Sequence, residues 1–149
     1  MSLITEQLVV LNLDSPDRHI ATRVLAEALA AEGRVTDLEG FLVDVRKREE
    51  QMPTGLPGGI GIPHARSAHV TEPSLVFGRS TAGIDWGAED GPATLIFLIA
   101  APEGGGEDHL KILASLARRL MRTEFRESLL KAPDAATVVD VVTREVVNP

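Results

Sequence analysis

The covalent chemistry this sequence can offer falls first on its histidines. The 149 residues include four histidines and no cysteine, which excludes disulfide staples, thiolate metal sites and a cysteine nucleophile. Any phosphoryl or acyl relay must run through another side chain. His64 is the strongest candidate, in the stretch GGIGIPHARS at residues 58–67. Its glycines permit close backbone approach, and its proline restricts the backbone leading into the ring. A neutral imidazole nitrogen can attack phosphorus near physiological pH, and the phosphohistidine formed stays reactive enough to hand the group on. The same position also suits an ordinary loop histidine with a satisfied ring.

The remaining candidates depend on what the fold brings to His64. His109, in the first turn of a predicted helix, could stabilise phosphate oxygens together with helix N-terminal amides, although its apolar neighbours equally suit packing. Arg48 and Arg66 each carry a planar guanidinium able to hold phosphate through two parallel hydrogen bonds, or to face solvent. The hydroxyls of Thr54 and Ser67 could bind phosphate, orient the loop or close local turns. His69 ranks behind these, because nothing in the pattern turns it inward, and His19 reads as an exposed helix residue. A metal site built from His64 and His109 with Asp85, Glu107 or Asp108 is a weaker alternative, since HExxH, an EF-hand loop and any compact His/Cys pattern are missing. Gly104-Gly105-Gly106 lacks the lysine and Ser/Thr of a Walker-A loop, so a nucleotide-driven kinase has little support.

The elements that must position these residues follow from periodicity. The apolar run at residues 8–13 predicts a buried strand, and Ser15-Pro16 predicts the N-cap and first residue of a helix over 16–32, with Ile20, Val24, Leu25 and Leu29 on its apolar face and Gly33 as its stop. Thr36 and Glu39 have capping-box spacing for a second helix, with Leu38, Leu42 and Val45 facing a core and residues 46–50 as a solvated end that stops at Pro53. Ile60 and Ile62 alternate as a strand, Pro63 interrupts its ladder, and His64 falls at a strand-to-loop transition. SLVFGRS at residues 74–80 predicts a strand. ATLIFLIA at 93–100 predicts a central one, because its apolar run lacks polar alternation. Leu110, Leu113, Leu116, Leu120 and Met121 mark a helix with Glu107 and Asp108 at its positive end. Phe125, Leu129 and Leu130 suggest a short helix, and residues 134–146 a valine-sided last one. Trp86 is read as packing a turn or a partner surface, and the four phenylalanines as core. These elements predict a single-domain α/β sandwich over residues 1–149, with a mixed β-sheet flanked by helices on both faces.

A net charge of −7 argues mildly against an extended nucleic-acid surface. The N-terminal residues MSLITEQLVV lack the features of a signal peptide, and the sequence contains no apolar run long enough to cross a membrane, so a cytoplasmic location is expected.

Taken together, Arg48-Glu49, PTGLPGGIGIPHARS at 53–67, GIDWG at 83–87 and EDHLKILASLAR at 107–118 make the chain resemble the fructose/mannitol-type IIA domain of the bacterial phosphoenolpyruvate-dependent sugar phosphotransferase system, a group that includes nitrogen-regulatory IIA proteins. The resemblance spans nearly all of the sequence. It implies that His64 accepts phosphate at Nε2 from the phosphocarrier HPr and passes it to a cysteine of a IIB component. It implies that His109 stabilises the phosphorylated site and that Arg48 is the phosphate-associated arginine, with no metal and no cofactor. A Nδ1 donor bond to a backbone carbonyl would set the required tautomer. Without a cysteine here, the acceptor must lie on a separate IIB or IIBC sugar transporter component, through which any membrane association would run. The alternative is a regulatory IIA protein whose phosphorylation state controls protein binding.

Overall fold

The computed structural model describes the backbone of residues 3–104 and 108–147, and the side chains of the same residues except 108–110. Its centre is a six-stranded mixed sheet comprising β1 (Val9–Val10), β2 (Gly55–Leu56), β3 (Ile60–Gly61), β4 (His64–Ser67), β5 (Ser74–Ile84) and β6 (Ala93–Pro102). β6 is the axis of the sheet. It pairs antiparallel with β5 along one edge and parallel with both β3 and β4 along the other. From Leu95 to Ala101 it is buried throughout, as its unbroken apolar run predicts for a strand covered on both faces. The cross-strand pair Phe77 and Phe97 anchors this core, with ring centroids 5.4 Å apart.

Five helices flank the sheet among the described residues, namely α1 (Arg18–Ala31), α2 (Leu38–Gln51), α3 (Asp108–Leu120), α4 (Thr123–Lys131) and α5 (Ala135–Val142). Two consecutive residues of β5 show that both faces are covered, because neighbouring strand residues point to opposite sides. A Cβ on Gly78 would fall 2.7 Å from Leu13 and 3.0 Å from Leu25 of α1. Arg79 reaches the other way, its Nη1 donating to the carbonyls of Leu129, Leu130 and Ala132 at the end of α4, at 3.0, 3.3 and 2.8 Å. One guanidinium thus satisfies carbonyls that the end of a helix leaves open. Arg79→Met should cost about 2 kcal/mol, the value of a charge-assisted bond to partly buried acceptors. Urea unfolding measures it, and a loss under about 0.5 kcal/mol would mean water replaces the arginine.

Local chemistry moves several expected boundaries. α1 is capped by Asp17, whose Oδ1 accepts from the Ile20 amide at 2.9 Å, and not by Ser15. A carboxylate there both accepts the amide and meets the positive end of the helix dipole. The apolar stripe of α1 is rotated from the expected one, since Ile20 is 45% exposed while Ala21, Leu25, Ala26 and Leu29 are buried. Leu25 of that stripe lies against the sheet at Gly78, where the missing side chain leaves it room. The capping box expected from Thr36 and Glu39 does not form. Asp37 caps α2, Thr36 donates its amide and hydroxyl to the His69 carbonyl, and Glu39 makes a two-bond pair with Arg23 of α1. The run 46–50 is not wholly solvated, because Glu49 is buried. The strand expected over residues 8–13 shrinks to β1 after a 3-10 turn, Glu6–Leu8. The last helix is capped by Asp134 and changes after Val142 to a π-helical turn, Thr143–Val147. Among the described residues no helix is long and apolar enough to cross a membrane.

Candidate active site

Pro63 creates the local geometry of His64. It has no amide proton to give the ladder, so the strand running beside β6 is split. β3 stops at Gly61, and β4 begins at His64, opposite Ile99. His64 therefore opens a strand; the expected strand-to-loop transition lies just before it. The sheet is held together across the break by the Ile99 amide, which donates to the Pro63 carbonyl at 3.0 Å. The half-buried His64 ring turns back on its own chain, with Nδ1 2.8 Å from the Ile62 carbonyl oxygen. A carbonyl only accepts, so this bond places a proton on Nδ1 and, in the neutral ring, leaves the lone pair on Nε2.

His64 lines a recess of about 390 Å³ with Asp44, Lys47, Arg48 and Gln51 of α2, Ala65 and Arg66 of β4, Ile99 and Ala101 of β6, and Leu113 of α3. The α2 residues recur at intervals of three and four, which puts them on one helical face. Three cations and one carboxylate line the recess, in a chain whose net charge is −7. The carboxylate, Asp44, already accepts from the Ser67 hydroxyl at 2.6 Å. The local balance favours an anion.

Of the residues singled out from sequence, Arg48 and Arg66 come to this recess. Arg48 Nη1 donates to the Met52 carbonyl at 3.2 Å, and Arg66 Nη2 to the Glu103 carbonyl at 2.7 Å. Ser67 and Thr54 are buried with their hydroxyls given to carboxylates, Ser67 to Asp44 and Thr54 to Glu49, so both support the surrounding chain and do not line the recess. His109 belongs to the first turn of α3, four residues before Leu113; its side chain lies outside the described residues, as do Glu107 and the Asp108 side chain. His69 sits by the start of α2, 3.9 Å from Asp37, and His19 is exposed. Asp85 accepts from the Gly87 amide in an exposed turn. Among the described residues no three His, Cys, Asp or Glu side chains converge as metal ligands. Sequence reading assigned none of Asp44, Lys47, Gln51 and Leu113 to the site, taking Leu113 for helix packing and Lys47 for a solvated end; their helical spacing from Arg48 and His109 was the available signal.

A histidine of set tautomer beside a cation-lined recess, at a proline break in a mixed sheet, defines an α/β protein fitted to handle an anionic group. Residues 2–145 match the family model described as "Phosphoenolpyruvate-dependent sugar phosphotransferase system, EIIA 2", and the chain belongs to that family of phosphotransfer components. It is 42% identical over 142 residues to the fructose-specific EIIA component of Haloferax volcanii, covering 93% of this chain and 92% of that protein. It is 36% identical over 143 residues to the fructose-specific EIIABC component of Bacillus subtilis, covering 95% of this chain but only 22% of that longer protein. Among solved structures, the nitrogen regulatory protein IIA-Ntr of Neisseria meningitidis superposes with a TM-score of 0.87 at 27% identity, covering 95% of this chain and 97% of the other.

Proposed function

We propose that this chain, over residues 1–149, is the IIA relay of a fructose-type or related sugar uptake system in the cytoplasm, taking phosphate from phosphorylated HPr on His64 and giving it to a IIB cysteine. The observation that carries this reading is the Nδ1 bond to the Ile62 carbonyl, which leaves the nucleophilic lone pair on Nε2. Nε2 attacks phosphorus as the phosphorus–nitrogen bond of the donor phosphohistidine breaks. In the second step a IIB thiolate attacks the same phosphorus, a phosphorus–sulfur bond forms, and His64 leaves with its lone pair restored. Arg48 and Arg66 offset the charge on the phosphoryl oxygens. His109 is assigned the role of stabilising the phosphorylated site, and α3 carries it in the turn before Leu113. Ser67 and Thr54 act behind the recess.

Incubation with phosphorylated HPr should yield one acid-labile phosphoryl adduct by intact mass, located on His64 Nε2 by NMR, and a IIB domain should then discharge it. A chain that stays unmodified while a positive-control IIA is charged would overturn the assignment. Arg48→Ala should slow loading roughly 10–100-fold, the value of losing one charge-assisted contact, with Arg48→Lys intermediate because an ammonium keeps charge but not the planar fork. Stopped-flow quench of the adduct measures it. Equal rates for the three proteins would remove Arg48 from the site.

The similarity to a nitrogen regulatory IIA protein favours a second reading, in which phosphorylation changes a binding surface without feeding transport. Reconstitution with IIBC membranes separates the two. Sugar phosphorylation supports the relay, and a chargeable protein that no IIB discharges supports regulation.

A further inference from the structure

The last turn of α2 carries a carboxylate that the relay chemistry does not use. Glu49 is 8% exposed, and its nearest described cation, Arg18 Nη1, lies 3.9 Å away. A carboxylate buried so far is costly unless hydrogen bonds compensate it. Here they do, and all go to one residue of the loop that leads to His64. Oε2 accepts from the Thr54 amide at 2.7 Å and Oε1 from the Thr54 hydroxyl at 2.6 Å. The Thr54 hydroxyl in turn accepts from Trp86 Nε1 at 3.2 Å.

Thr54 then passes this anchorage on. Its carbonyl accepts from the Ile62 amide at 3.1 Å, and the Ile62 carbonyl is the acceptor of His64 Nδ1. Three consecutive links run from the Glu49 carboxylate to the imidazole. Trp86 fills the space beside them, since a Cβ on Gly61 would fall 2.7 Å from its ring. The carbonyl that sets the His64 tautomer is thus tied to α2, the helix that also brings Lys47 and Arg48 to the recess.

We infer that Glu49 is a positioning residue for phosphoryl transfer, acting through Thr54 and Ile62 to hold His64 with its proton on Nδ1 and its lone pair on Nε2. This rests on the assignment of His64 as phosphate acceptor. A small displacement of that carbonyl weakens the Nδ1 bond, populates the other tautomer and turns the ring from the line of attack, where misplacement by about 1 Å costs roughly 100-fold. Glutamine at position 49 keeps the shape and one acceptor but loses the second acceptor and the charge that strengthens both bonds.

The test compares wild type, Glu49→Gln and Thr54→Val for loading by phosphorylated HPr, alongside long-range proton–nitrogen NMR of the His64 ring. Wild type should show the Nδ1-protonated tautomer. E49Q should show a mixture of tautomers and a fall in the rate at saturating donor of roughly 10-fold or more, with KM for the donor near that of wild type. T54V, which removes the hydroxyl link and leaves the carboxylate, should fall in the same direction and serves in its place if E49Q does not fold. If wild type loads on His64 while the variants keep its rate and tautomer, this inference fails and the assignment stands. A lower melting temperature with unchanged tautomer and saturating rate would make the carboxylate merely structural, and that also overturns the inference. A wild-type chain that takes no phosphate on His64 removes the assignment itself.

Discussion

His64→Ala is expected to fold and to take up no phosphate. The proposed reaction has one nucleophile. Its removal leaves only binding and charge stabilisation, a loss on the order of 10⁴-fold or more, which puts the adduct below detection. The other imidazoles with described side chains cannot stand in by geometry: His19 is exposed on α1, and His69 packs at the start of α2, where a Cβ on Gly40 would sit 2.5 Å from its Nε2. Folding should survive, because His64 is half-buried at the first residue of its strand and the main-chain pairing with Ile99 needs no imidazole. A stability change within about 1 kcal/mol is expected. The measurement is intact mass after charging by phosphorylated HPr, with unfolding followed in parallel. An acid-labile adduct on the alanine variant would show that the nucleophile lies elsewhere.

Trp86→Ala should produce the largest loss of stability of the substitutions considered. Trp86 is 1% exposed and is one of the largest fully buried side chains. The β2–β3 hairpin closes on it through two glycines paired with each other, Gly55 and Gly61. A Cβ on Gly55 would lie 2.5 Å from the Trp86 carbonyl oxygen, and one on Gly61 against its ring. A surround fitted this tightly cannot collapse fully when the indole is deleted, so both the transfer and the cavity cost apply, about 3–5 kcal/mol in all. With a typical stability of about 5–15 kcal/mol and a urea slope near 2 kcal/mol/M, the midpoint should fall by about 2 M. A loss under about 1 kcal/mol at unchanged slope would mean the hairpin holds its place without the indole.

Much of this protein was legible before any coordinates. The central strand β6 announced itself by a run without polar alternation, and the stop between β3 and β4 by Pro63, because both signals act within a few residues. The motif-level resemblance named a family that residues 2–145 match. Capping was read less well. Ser15, Thr36 and Glu39 had suitable chemistry, but Asp17 and Asp37 hold the caps, while Thr36 and Glu39 bond to His69 and Arg23, partners 33 and 16 residues away. No local pattern contains such a competitor. Trp86, read as packing a turn or a partner surface, packs against the β2–β3 hairpin, but its full burial was not legible for the same reason: Gly61 of that hairpin, distant in sequence, makes room for the ring.

Residue order alone determined which side chains could react and where the backbone must bend, since an imidazole's chemistry and a proline's missing proton belong to the residue itself. Tertiary structure decided what surrounds them: that α2 sets Lys47 and Arg48 around the recess of His64, that Thr54 and Ser67 give their hydroxyls to the carboxylates of Glu49 and Asp44, and that Glu49 is buried within a run of charges. Those outcomes depend on how helices dock against the sheet, which is settled by packing between residues far apart in the chain.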